Sequence, residues 1–298
     1  MMKRRTLVLW LLGTPVLLVA AVIGLGVWLL NQPSGSEWLL SKVPGLTVEA
    51  PQGSLLGDFA ARRAVYTLPG GAGEVRITGL HWQGLRLTRH SLSIRTLSAD
   101  VVEVVLACSP KDAAKSEPKP PTNLALPLTV QIDALSVGRI VQGSLQLNGL
   151  RAALTLGEQE HHLRLDALHW EQLGLSGDAR IGTGGSLPVK LSLAVQTEQP
   201  EHAQGQLQAQ GPLAQLDVKA QLEQAGQDLH LQSTVTPFAP WPIQALQADA
   251  RNLDLHALMS ALPRTALTGQ ATLQSSGWHA PATVQMQLSN SAAGRWDQ

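Results

Sequence analysis

Few residues in this chain have types and spacing that could do chemistry. Gly70, Gly71, Ala72 and Gly73 have the composition of a phosphate cradle. They follow Leu68 and Pro69, however, and lead into an alternating run, not into a helix whose N-terminus would hold an anion, so a hairpin loop is expected. His161 and His162 are adjacent; on a strand they point to opposite faces and cannot share one metal. His81, His90, His169 and His279 are scattered, and neither a His-x-His pair nor a His-Glu-x-x-His run supports zinc. Glu158 and Glu160 could share a strand face as an acid–base pair, but they sit beside Gly157, where a solvated turn is expected. No Gly-x-Ser-x-Gly nucleophile elbow occurs. The one cysteine, Cys108, allows no intramolecular disulfide and is read as a small buried thiol. Catalytic, metal and cofactor-binding residues are therefore expected to be none, and the chain is expected to be a non-enzyme.

The elements that would position a site are more informative. Lys+Arg and Asp+Glu are both 22, for zero formal net charge. That balance argues against a nucleic-acid partner, which needs clustered positive charge. Only 15 % of residues are charged and 4 % aromatic, against 44 % apolar overall. The apolar surface is therefore mostly Leu, Val, Ile and Ala.

Lys3, Arg4 and Arg5 precede an uncharged stretch from Leu7 to Leu30. At ~1.5 Å rise per residue it would cross the ~30 Å hydrocarbon core as a helix. Leu7, Leu11, Leu17, Val22, Leu25, Trp28 and Leu30 are the expected membrane anchor. The basic residues set a cytoplasmic N-terminus, with everything after Asn31 translocated. The stretch is too long, and its end too bulky, for a cleaved signal peptide.

A short helix is expected over residues 36–43, with Ser36 as N-cap and Pro44 and Gly45 ending it. From Leu46 the dominant period is two, as in Val75-Arg76-Ile77, Leu163-Arg164-Leu165 and the run from Val189 to Val195. Such alternation dries one face of each strand and wets the other. Glycines recur between runs, and the connections are too short for helical crossovers, so an antiparallel sheet is predicted. Apolar residues at 255, 258, 259 and 262 predict one later helix, stopped by Pro263. Residues 109–122 are rich in proline and charge and read as a linker or long loop.

The fold class expected is mainly β: a transmembrane helix, then an elongated, curved antiparallel sheet forming an open groove, with one or two short helices. The expected divisions are 1–31 basic tip and anchor, 32–107 first β-unit with its leading helix, 108–122 linker, and 123–298 second β-unit. The dry face is assigned to Leu145, Leu147, Val189, Leu191, Leu193, Val195, Leu216, Val218, Ala220, Leu222, Leu229, Leu231, Val284, Met286 and Leu288. Alternation alone leaves open whether these residues line a groove or fill a closed core.

Several strings carry a family resemblance. The basic tip and apolar stretch are followed by Val43-Pro44-Gly45-Leu46 and Gly53-Ser54-Leu55-Leu56-Gly57. Then come Tyr66 before a glycine turn, the Leu80-His81-Trp82 run, and Leu92-Ser93-Ile94 leading to Leu97. Further on, Trp241-Pro242-Ile243-Gln244-Ala245-Leu246 runs through Leu253-Asp254-Leu255 to Leu267-Thr268-Gly269. The whole resembles the N-terminal portion of the TamB/AsmA-like family. The resemblance implies a single-pass inner-membrane protein whose bulk lies in the periplasm as an apolar β-groove. It also implies an Omp85-type outer-membrane barrel (TamA-like) as partner, reached through a C-terminal region missing from this chain. The function implied is outer-membrane biogenesis, by conducting phospholipid along a lipid groove lined by the fifteen dry-face residues from Leu145 to Leu288. The alternative is an assembly factor or chaperone for outer-membrane or autotransporter proteins, acting by strand pairing. Members are usually longer, so the chain, ending Gly294-Arg295-Trp296-Asp297-Gln298, is expected to be an N-terminal piece.

Overall fold

The computed structural model describes residues 33–106, 120–197, 203–224, 226–239, 241–258, 263–275 and 282–292. Period-two patterning becomes one sixteen-stranded sheet. Helix α1 (Pro33–Leu40) leads into β1 (Leu46–Gly53), β2 (Phe59–Thr67), β3 (Gly73–Gln83), β4 (Arg86–Leu87) and the long β5 (Ser91–Leu106). After the connection follow β6 (Thr129–Gln142), β7 (Leu145–Leu156), β8 (Glu160–Trp170), β9 (Leu173–Gly182), β10 (Pro188–Thr197) and β11 (Ala203–Pro212). The last strands are β12 (Leu216–Gln224), β13 (Gln227–Val235), β14 (Ile243–Leu253), β15 (Leu267–Ser275) and β16 (Ala282–Asn290), with α2 (Leu255–Leu258) after β14. Apart from β4, which pairs only with β5, the strands lie in chain order from β1 to β16, and the sheet does not close on itself. Fifteen strands in line at ~4.8 Å span roughly 67 Å along the hydrogen-bonding direction.

Every pairing is antiparallel except one. β5 and β6 run parallel, with Ile94 opposite Ile132 and Leu97 opposite Leu135. A parallel step needs a connection long enough to return to the starting rim, and residues 107–128 supply it. The expectation of a wholly antiparallel sheet is corrected at this point. Leu124 ties the end of that connection to the rim where β5 and β6 begin: its N–H donates to the Thr183 carbonyl at 2.8 Å, and its carbonyl lies 2.8 Å from His161 Nε2.

The glycine-rich stretch 70–73 lies in the β2–β3 hairpin, with Pro69–Gly71 as a single 3-10 turn and Gly70 at φ +72°. Helix α1 begins before the predicted start. Ser36 is an interior helical residue, 1 % exposed, and its Oγ accepts the Leu55 N–H at 3.0 Å. It pins the helix to the β1–β2 turn instead of capping an end. The later helix is described only over Leu255–Leu258, and residues 259–262 lie outside the described residues.

The transmembrane helix expected at the head of the fold class is corrected. Among the described residues no helix is long and apolar enough to cross a membrane. α1, with 8 residues, reaches only ~12 Å against the ~30 Å required. Leu7, Leu11, Leu17, Val22, Leu25, Trp28 and Leu30, with Lys3, Arg4 and Arg5, lie outside the described residues, as do Cys108 and most of the linker. The supported fold class is an elongated, mostly antiparallel, unclosed and groove-like β-sheet.

Candidate functional site

Register turns separate strands into continuous apolar rows. One row runs Ile94, Ile132, Leu154, Leu163, Ala179, Leu191, Ala209, Val218, Ser233, Leu246, Leu273, Val284, from β5 to β16. A second runs Leu97, Leu135, Ala152, Leu165, Gly177, Leu193, Leu207, Ala220, Leu231, Ala248, Ala271, Met286 through the same pairings. The four residues from Ile132 to Leu135 on β6 oppose the three from Leu154 to Ala152 on β7. This bulge, at Asp133 and Ala134, keeps the two rows on one face. Toward β1 the second row ends on Trp82 and Phe59, whose rings stack with centroids 4.0 Å apart. Phe59 is 1 % exposed and Trp82 Nε1–H donates to the Leu55 carbonyl at 3.0 Å, so this end of the row is anchored.

The residues assigned to the dry face take these places. Leu191, Val218 and Val284 stand in the first row, and Leu193, Ala220, Leu231 and Met286 in the second. Val195, Leu222, Leu229 and Leu288 form a third row with Leu175, Gly205, Ala250 and Gly269. Val189 pairs with Ile181 and Leu216 with Val235. Leu147 pairs with Ile140, in a shorter row through Val102, Ile77 and Ala64. Leu145 sits at the rim opposite Gln142, 38 % exposed.

These side chains are not sealed. Besides Phe59 at the β1 end, the buried members of the first two rows are Ile94, Ile132, Ala152 and Ala209; Leu191 and Leu193 are half-buried and Leu163 is 36 % exposed. Apolar contact comes from cross-strand neighbours on one face, and among the described residues no second sheet lies above them. Small residues such as Gly205 and Ala220 leave a shallow depression of about 170 Å³, floored by Leu207, Leu222, Leu229 and Leu231. That is below the ~300–1,000 Å³ of small-molecule sites.

The opposite face is polar. Gln208, Lys219, Gln232, Gln247, Thr272 and Gln285 form one row across β11 to β16. Nearer β8, Asp178 contacts His162 and lies 3.2 Å from Arg180 Nε. Hydrogen bonding to His162, then to Arg180, holds the Asp178 carboxyl below the usual carboxylate range. On β3, hydrogen bonds and charge from Glu74, then Glu103, raise Arg76. Adjacent His161 and His162 do divide between faces: His161 turns to Leu124 and Gly157, His162 to Asp178. Among the described residues no cluster of three or more His, Cys, Asp or Glu could hold a metal.

The two edges differ in chemistry, which periodicity did not reveal. β1 carries Glu49 and Pro51, has Ala50 at φ +51°, and packs beside α1. β16 pairs with β15 without a break from Ser275–Ala282 to Leu267–Asn290. Each of its residues is exposed, Met286 by 64 %, and it carries no charge and no proline. Among the described residues nothing pairs with its outer side.

The family described as TamB, N-terminal domain, matches residues 22–179, more than half of the chain. This chain belongs to the TamB N-terminal domain family. No curated protein and no solved structure matches it. Two expectations drawn from the resemblance are corrected. Single-pass inner-membrane localisation rested on a spanning helix, and none is found among the described residues. Phospholipid conduction needed that anchor to bring the apolar rows to a bilayer, and the rows form a wide, half-exposed face with only a shallow depression. At family level the chain is an open, groove-like TamB N-terminal β-domain.

Proposed function

We propose that this TamB-family chain is a non-catalytic periplasmic assembly factor for outer-membrane proteins, autotransporters included, that holds client polypeptide by strand pairing. The observation that carries it is the unclosed sheet with its half-exposed aliphatic rows, ending among the described residues on the uncharged, exposed β16. Such an edge presents a row of backbone donors and acceptors that an extended peptide can satisfy by β-augmentation. Family membership supports the setting, and the resemblance supplies an Omp85-type barrel as the recipient of the client. Half-exposed aliphatic rows leading away from the edge support it further, because a paired strand would continue them.

A photocrosslinking amino acid at Met286 of the full chain, with Leu193 as a mid-sheet comparison, tests this in cells expressing an outer-membrane client. Polypeptide adducts should form at Met286 and be sparse at Leu193. Adducts to lipid alone, or no polypeptide adduct at Met286, would overturn the proposal.

A further inference from the structure

Arg62, Arg76, Arg164, Arg180 and Arg251 each form an ion pair with an acid. Arg86, Arg89 and Arg95, gathered at the β4–β5 tip, form none among the described residues. All three are exposed, as is His90. Register brings two of them together. Arg86 pairs with Ser93, so Arg95, two residues further along β5, is its diagonal neighbour on the polar face. Gly84, on the strand segment facing Arg95, has no side chain to intervene; a Cβ there would lie 3.4 Å from Arg95 Nε. Asp133 stands opposite Arg95 across β5 and β6, but its Oδ1 accepts from Gln131 Nε2 at 2.7 Å. The tip itself is held in shape. The Thr88 N–H donates to the Ser91 carbonyl at 2.8 Å, the Ser91 N–H to Thr88 Oγ1 at 3.0 Å, and the Thr129 N–H to the His90 carbonyl at 3.0 Å.

Arginine on an edge strand ordinarily blunts that edge against aggregation. Guarding β4 accounts for Arg86 but not for Arg95, which lies on an interior strand. Nor does the rest of the chain carry a surplus of acid toward the tip. Residues 1–32 contain no Asp or Glu, and residues 107–119 carry Lys111, Lys115 and Lys119 against Asp112 and Glu117. We propose that the β4–β5 tip is a docking surface for an acidic polypeptide segment, whose carboxylates meet Arg86, Arg95 and Arg89. Charge-assisted hydrogen bonds between guanidinium and carboxylate are the strong ones, and an Arg pair already held side by side needs little ordering to make them. Polypeptide is the occupant because β4, inside the chain, pairs only with β5. Its backbone groups at Arg86 and Leu87 face outward beside the charges, and an extended segment can satisfy both at once. Leu87, 57 % exposed on the opposite face, gives such a segment an apolar neighbour. This surface lies away from β16 and stands without the strand-pairing function proposed above.

Fluorescence anisotropy with the full chain tests it, using a labelled peptide that alternates Glu and Thr and a second with Gln in place of Glu. The Glu peptide should bind about ten-fold or more tightly than the Gln peptide, and weaken as salt rises from ~0.1 to ~1 M. Arg86→Gln with Arg95→Gln, both exposed and unpaired, should remove that preference. Arg164→Gln with Arg251→Gln, which takes the same charge from elsewhere, should keep it, and circular dichroism should match the parent in both chains. The single variant Arg89→Gln should weaken the Glu peptide part-way. Equal binding of the two peptides would overturn the proposal. Equal loss in the two double variants would reduce it to general attraction by charge and overturn the site. Flotation with phosphatidylglycerol vesicles that depends on Arg86 and Arg95, without binding of the Glu peptide, would make a lipid surface the occupant and overturn the polypeptide assignment.

Discussion

If the apolar rows face solvent and not a second layer, trimming one of their leucines should cost far less than trimming a leucine in a closed core. Leu163→Ala is the best case, because Leu163 sits mid-sheet on β8, between Leu154 and Ala179, and is 36 % exposed. The substitution removes three carbons, each contributing ~0.8 kcal/mol when fully buried. Scaled by the roughly two-thirds that is covered, the loss is ~1.5 kcal/mol. No cavity cost is added, since water or a neighbouring side chain fills an open notch. In closed cores the same change costs ~2.7–5.0 kcal/mol because an empty cavity remains. Urea denaturation followed by far-ultraviolet circular dichroism, compared at the midpoint with an unchanged slope, reads the difference. A loss above ~3 kcal/mol would mean that the face is sealed, and that the open-sheet account is wrong.

Three further outcomes are expected. Phe59→Ala empties a site that is 1 % exposed and unstacks Trp82; it should cost ~3–5 kcal/mol, about two to three times the loss at Leu163, and change Trp fluorescence. Gly269 lies at φ +143°, and an added Cβ would overlap the Gln287 carbonyl oxygen. Gly269→Ala should therefore cost ~1–3 kcal/mol, and hydrogen exchange should quicken in β16 before β10. Because Asp178 is depressed in the folded chain, its stabilisation is present above the unfolded value of ~3.9 and is lost as pH falls through the folded one. Asp178→Asn should thus destabilise at pH 7 by no more than the ~0.2–1 kcal/mol of an exposed pair, and the difference from the parent chain in thermal melts should shrink as pH falls below the unfolded value of ~3.9.

Strand positions were legible because a half-dry strand writes its period directly into the chain: Val189 to Val195 and Leu216 to Leu222 emerge as β10 and β12. Pairing was less legible. Nothing in the local pattern of Leu92, Ile94 and Leu97 announces a parallel neighbour, because direction depends on where residues 107–128 travel. Ser36 resembled a cap since serine is common there, yet its hydroxyl serves Leu55, nineteen positions away in sequence, a partner that only tertiary structure supplies. The depression under Leu222 and Leu229 depends on Gly205 and Ala220 standing side by side with larger residues across strands, which a one-dimensional period cannot express. The uncharged, proline-free alternation of β16 was legible too, but its place last in the strand order among the described residues was not.

The lone parallel step between β5 and β6 also sets the rim at which the last described strand ends. Fifteen strands joined only by hairpins would enter at one rim and leave at the other. The extra reversal brings the start of β1 and the end of β16 to the same rim, with the Leu124 tie on the opposite side. Anything attached beyond either of those two strand ends therefore approaches the sheet from one flank, which also carries the short β6–β7, β8–β9 and β12–β13 turns.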